Sequence, residues 1–123
     1  MAKRMIRWTH AVSLPAGDAY QQSGWCPPVD VYRLRDGWLI KFELAGVRPE
    51  EIHLSACGRV LTLRGSRHDW VIGESQSCYS MEISYNRFQR SIELPCDVEH
   101  ARLESEYRDG MLLVRISPEG SKS

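Results

Sequence analysis

The sequence predicts an all-β chain folded as an antiparallel sandwich, and three observations carry that expectation. From Val29 onward apolar and polar residues alternate with period two, as a strand with one buried face requires. Gly, Pro and Asp punctuate these runs at close spacing, with Asp36-Gly37 and Asp109-Gly110 as dipeptides of the hairpin type. No segment longer than about ten residues keeps helical periodicity, residues 1–14 being the one possible exception. Size and composition agree: 123 residues, 42% hydrophobic and 26% charged, make one globular domain.

Each element follows from its own pattern. Residues 1–27 read as a partly flexible arm that mixes Trp8, Val12, Leu14, Tyr20 and Trp25 with Gly, Ser, Gln and Pro; Pro27-Pro28 punctuates its end. Val29, Val31 and Arg33 make a short strand, Asp36-Gly37 turns it, and Trp38, Ile40, Phe42 and Leu44 alternate with Leu39, Lys41 and Glu43. A loop over residues 46–51 carries Pro49. Ile52, Leu54 and Ala56 form the next strand, Cys57-Gly58-Arg59 reverses it, and residues 60–64 return.

After Gly65 the pattern goes quiet through Gly73 and Ser77, and then Tyr79, Met81, Ile83 and Tyr85 alternate as an isolated strand. That strand sits within an excursion over residues 64–87, longer than the structureless loops of compact domains, and has no obvious partner in its own sandwich. A mobile loop with incidental aromatics is the plainer account of it. Phe88, Arg90, Ile92 and Leu94 alternate up to Pro95, Leu103, Ser105 and Tyr107 make a further strand, and Asp109-Gly110 turns into the last run at residues 111–116. That run is apolar on both faces apart from Arg115, as expected of a central, doubly covered strand. The sandwich thus spans residues 28–117, with a short tail at 118–123.

Composition removes several functions. Lys+Arg and Asp+Glu both count 16, so the formal net charge is zero, whereas gripping nucleic acid calls for a basic surplus. The longest aliphatic run, Met111-Leu112-Leu113-Val114, is far short of the ~20 residues of a membrane span. Lys3, Arg4 and Arg7 with Ile6 and Trp8 form a basic start too small to anchor on a membrane surface alone. Thr9, His10, Ser13 and Pro15 interrupt any apolar stretch after it, so no secretory signal is expected and the location reads as cytoplasmic.

The four cysteines then read as reduced thiols, their positions unorganised. His53 and Cys57 share a ligand-like spacing, as do Cys96 and His100. On a strand the first pair is about 13 Å apart, and the CxxC knuckle of structural zinc sites is missing, so no metal is assigned. The histidines are scattered, no Ser/His/Asp or paired-carboxylate arrangement emerges, and no Walker-type glycine loop is present. No catalytic residue and no cofactor is expected.

Four stretches in order then resemble one family, the small heat-shock proteins built on the alpha-crystallin domain. Residues 42–52, Phe-Glu-Leu-Ala-Gly-Val-Arg-Pro-Glu-Glu-Ile, resemble its Leu-Pro-Gly segment, with Ala45 where proline is usual and Gly46 kept. Val60-Leu61-Thr62-Leu63-Arg64-Gly65 resembles its Leu-x-Ile-x-Gly strand end. Residues 85–95, ending in Leu94-Pro95, are close to its Phe-x-Arg-x-hydrophobic-x-Leu-Pro strand. Residues 105–112 fit its Ala-x-x-x-n-Gly-Val-Leu signature, with Ser105 for Ala, Met111 for Val, and Gly110 and Leu112 in place.

The resemblance implies an immunoglobulin-like sandwich and an ATP-independent holdase that binds partly unfolded proteins and prevents their aggregation. It also implies a homodimer. In the bacterial and plant branch the strand matching Tyr79, Met81, Ile83 and Tyr85 crosses to a second subunit and pairs with an edge strand there, here Val29 and Val31 within Val29–Leu34. The position of Arg90, otherwise read as a solvated strand-face arginine, matches an arginine at that dimer contact. Clients would be met by Trp8, Val12, Leu14 and Trp25 of the arm, where a disordered tail is the plainer reading, and by a groove containing Leu54 and Ala56.

One departure from the family is visible. The Ile-x-Ile motif of larger assemblies has no counterpart after Ile116, so a dimer or modest oligomer is expected. Val12-Ser13-Leu14-Pro15 has the apolar-x-apolar spacing of a substitute. A co-chaperone of the CS-domain kind, docking on a larger chaperone without holdase activity, is the alternative.

Overall fold

The computed structural model describes residues 7–10, 25–69 and 79–118. Its strands are β1 (Arg7–His10), β2 (Val29–Leu34), β3 (Gly37–Glu43), β4 (Ile52–Cys57), β5 (Val60–Ser66), β6 (Arg87–Glu93), β7 (Arg102–Arg108) and β8 (Met111–Ser117). A single 3-10 turn at Pro49–Glu51 precedes β4. The strands form two four-stranded sheets, ordered β1-β4-β5-β6 and β2-β3-β8-β7. The expected antiparallel sandwich is therefore what forms.

Period-two alternation sets the register. Trp38 faces Ile116, Ile40 faces Val114 and Phe42 faces Leu112 across β3 and β8, so the apolar set of both strands points inward together. From the other sheet Leu54, Leu61, Leu63 and Phe88 meet them, and Leu44, Val47, Leu94 and Val98 close the ends of the core. Each large side chain so removed from water contributes about 1.5–3 kcal/mol before chain entropy is charged against it.

The turns are equally local. Asp109 and Gly110 have φ of 54° and 78°, the paired positive values of a type I′ hairpin. At the first hairpin the turn lies one residue earlier than the sequence suggests: Arg35 and Asp36 form it, while Gly37 already pairs with Leu34 as the first residue of β3. Gly37 packs on the Ile116 carbonyl, and any Cβ there would collide with that oxygen.

Three expectations change. Residues 7–10, inside the one segment with possible helical periodicity, form a strand that pairs in parallel with β4, Trp8 opposite Leu54. An unpaired edge offers main-chain groups to any extended segment, and the ladder outweighs a weak helical pattern. Strand β8 is central but not doubly covered. Leu112, Val114 and Ile116 are buried, Met111 and Leu113 are half-buried on the outer face, and Arg115 is exposed. An antiparallel sheet needs only one covered face, and no described element lies over the other. Residues 79–86 form no strand within the chain, for the described residues offer them no sheet partner.

Candidate functional site

Among the described residues strand β2 is hydrogen-bonded on one side only, to β3, and they leave its other side a row of amides and carbonyls without a strand partner. Val31 and Tyr32 lie on it, each 42% exposed. On the excursion Tyr79 is fully exposed, and Met81 and Ile83 are each 60% exposed. Over residues 25–69 and 79–118 these five are all the large apolar side chains left in solvent. Among the described residues the exposed large apolar side chains thus lie on one sheet edge and on one segment outside the sheets.

Charges frame that edge. The Arg33 guanidinium lies 5.3 Å from the Trp38 ring and the Lys41 ammonium 5.4 Å from the Tyr32 ring, while the Tyr32 hydroxyl donates to Asp30 at 3.4 Å. Val29, at the start of β2, is half-buried against the core. Arg90 on β6 finds its acceptors within the chain: Nη1 donates to the Pro27 carbonyl at 3.1 Å and to Cys26 Sγ at 3.4 Å. It therefore braces the residues that lead into β2.

The arm and groove residues are placed differently from expectation. Leu54 is fully buried and Ala56 5% exposed, both facing the core from β4, and the outer edge of that strand is occupied by β1. They are not an open groove surface in this chain: the groove role came from the family resemblance, and the alternation that made them a strand turns them inward. Trp25 is half-buried, its ring edge-on to Phe88 at 5.1 Å. Trp8 lies in the β1 ladder, and Val12 and Leu14 lie outside the described residues.

Among the residues of the family motifs, Gly46, Tyr107 and Gly110 meet at one corner, while Leu94 and Pro95 lie at the opposite end. Gly46 has φ of 84°, and the Leu44 amide donates to the Gly110 carbonyl at 2.6 Å. A Cβ on Gly110 would stand 3.1 Å from the Ala45 Cα. The Tyr107 hydroxyl lies 2.8 Å from the Leu44 carbonyl oxygen and 2.6 Å from that of Val47, so its one proton is shared between two acceptors. Burial pushes the Tyr107 phenol above its ordinary range. Ser105 is half-buried, Leu94 and Leu112 are buried, and Pro95 is exposed. These positions hold the fold rather than a ligand.

Sequence reasoning passed over Tyr107 as a clamp and Arg67 altogether. Arg67 Nε donates to the Ser84 carbonyl at 2.9 Å and Nη1 to the Ala45 carbonyl at 3.2 Å, and its guanidinium stacks 3.7 Å from the Trp25 ring centroid. No spacing in the sequence joins residues 25, 45, 67 and 84.

Other polar groups are structural or solvated. The His100 hydrogen bond at 2.8 Å holds the exposed Asp97 carboxyl below the usual carboxylate range. Cys26, Cys57 and Cys96 are free thiols, and Cys78 lies outside the described residues. Among the described residues no group of three or more His, Cys, Asp or Glu side chains is placed to hold a metal ion. No helix among them is long and apolar enough to cross a membrane.

A family model described as Hsp20/alpha crystallin family matches residues 30–123. A heat shock protein of Dictyostelium discoideum is 26% identical over 116 residues, 94% of this chain and 27% of that one. Small heat shock protein C2 of Rickettsia felis is 24% identical over 90 residues, 73% of this chain and 58% of that one. The chain therefore spans between about a quarter and somewhat over half of the length of these relatives. Among solved structures, heat shock protein 16.0 of Schizosaccharomyces pombe aligns with a TM-score of 0.69 at 24% identity, covering 80% of this chain and 93% of that one, a likeness of fold.

Proposed function

Since the chain belongs to the Hsp20/alpha crystallin family, we propose that it is a non-enzymatic chaperone, an ATP-independent holdase of the cytoplasm that works as a homodimer or modest oligomer. The observation that carries this reading is that, over residues 25–69 and 79–118, the exposed large apolar side chains all lie on β2 and on residues 79–83. A sheet edge and a separate segment that both expose apolar side chains are complementary to a second copy of the same chain. In such a pair the segment carrying Tyr79, Met81, Ile83 and Tyr85 of one copy adds to β2 of the other, near Val29 and Val31, and the exchange is isologous.

Arg90, by bracing residues 26 and 27, keeps β2 in the conformation that receives the strand. Client capture needs no chemistry, because binding the unfolded form competes with aggregation by mass action. Trp8, Val12, Leu14 and Trp25 of the arm supply adaptable apolar surface for it, and where β1 vacates β4 the strand offers its main-chain groups at Leu54 and Ala56, whose side chains stay in the core.

Light scattering of a heat-aggregating client without ATP, run beside native mass of the full chain, tests the proposal. Dimers or small oligomers that suppress scattering are expected. A monomer that suppresses nothing overturns it and leaves a docking module on the same sandwich.

A further inference from the structure

Arg67 stands just past the end of β5, where the excursion leaves the domain. Its backbone N–H donates to the Asn86 carbonyl at 3.0 Å and its Nε to the Ser84 carbonyl at 2.9 Å, so one residue ties the outgoing limb of the excursion to the returning one. Nη1 reaches the Ala45 carbonyl at 3.2 Å, fixing the same neck to the connection between β3 and β4. The guanidinium also meets two aromatic rings. It lies 3.7 Å from the Trp25 ring centroid and 5.9 Å from that of Tyr85. Trp25 in turn meets Phe88 on β6 edge-on.

This arrangement is suited to aiming. A planar fork with several fixed donors orients what it holds, which a flexible ammonium cannot do. The segment it holds begins three residues after the exposed Met81 and one after the exposed Ile83. Left unpinned, the excursion would sample many directions, and pairing with a second copy would have to bear that ordering cost.

We propose that Arg67 is a positioning residue for self-association: it clamps the neck of the excursion so that the segment bearing Tyr79, Met81 and Ile83 leaves the domain already directed toward a second copy, and Trp25 is the contact through which the arm acts on that clamp. The inference rests on the dimer reading above and adds a residue and a coupling to it. The arm and the exchange segment are then linked through one side chain, and whatever draws Trp25 off the guanidinium loosens the dimer.

The test uses the full chain and its Arg67→Ala, Arg67→Lys, Trp25→Ala and doubly substituted Trp25→Ala/Arg67→Ala variants. Sedimentation gives the dimer dissociation constant, hydrogen exchange follows the amides, and a urea midpoint at monomeric concentration monitors the domain. Arg67→Ala is expected to raise the dissociation constant about ten- to a hundredfold, the worth of one or two charge-assisted hydrogen bonds. Protection at Arg67 should fall while that of β3, β5 and β8 holds. Arg67→Lys keeps the charge but not the fork, and its effect should be intermediate. Trp25→Ala should weaken the dimer alone, and add less in the Arg67→Ala background than in the wild type.

A dimeric wild type whose dissociation constant is unmoved by both Arg67 variants overturns the clamp and leaves the dimer standing. So does a loss of dimer that tracks a fall in the urea midpoint of the domain. Strict additivity of the Trp25 and Arg67 substitutions overturns the coupling. A wild type monomeric at every concentration overturns the dimer reading itself and the clamp with it.

Discussion

Two residues show how little of the corner near Gly110 is tolerant of change. Gly110 sits at φ 78° and a Cβ there would stand 3.1 Å from the Ala45 Cα, so Gly110→Ala combines a left-handed penalty with a tight contact. A loss of about 1–2 kcal/mol is expected, read as a lower urea midpoint at unchanged slope. Tyr107→Phe removes the proton shared by the Leu44 and Val47 carbonyls and should cost about 1 kcal/mol. It also has a pH signature. The folded phenol holds its proton more tightly than the unfolded one, so its contribution is complete below the ordinary tyrosine value of about 10 and is lost as pH rises through the raised folded value. Stability of the wild type should therefore fall more steeply in alkali than that of Tyr107→Phe. Of this corner the glycines were legible, since only a few residue types fit a tight hairpin. The tyrosine was not, because alternation marks its inward direction and says nothing of the carbonyls its hydroxyl meets.

At the level of elements, strands β2 to β8 could be read because apolar residues recur along them with period two between turn signals, a pattern that survives even where both faces are covered, as at Ser55 of β4 and Thr62 of β5. β1 could not. It is four residues, Arg-Trp-Thr-His, held to β4 by main-chain pairing that any sequence without proline can make. The excursion fell between these cases: its alternation was visible, yet alternation without a neighbour makes no strand, and residues 79–86 accordingly have none. Thr9→Pro tests β1 directly. Proline cannot donate to a ladder, so the outer amides of β4 should exchange faster while those shared between β5 and β6 keep their protection. Equal protection in the two proteins would mean that the β1 ladder does not guard that edge.

For the whole molecule the decisive contrast is between the two margins of the β2-β3-β8-β7 sheet. Val31→Lys places a charge on the β2 margin, a common way of blunting an edge, and native mass should shift toward monomer with the urea midpoint nearly unchanged because the site is 42% exposed. An unaltered mass would place the association elsewhere. The opposite margin is already blunted. Along β7 the outward positions read Arg102, Glu104, Glu106 and Arg108, with Arg102 3.5 Å from Glu104 and Arg108 3.7 Å from Glu106. Surface pairs of this kind add little stability.

Their consequence belongs to the language of polymerisation. A monomer with two reactive ends grows without limit, and one with a single reactive end stops when that end is satisfied. With an apolar margin at β2 and a row of charge at β7, this sheet has one reactive end. Two copies that exchange segments through β2 exhaust it, and growth along this sheet stops at the pair.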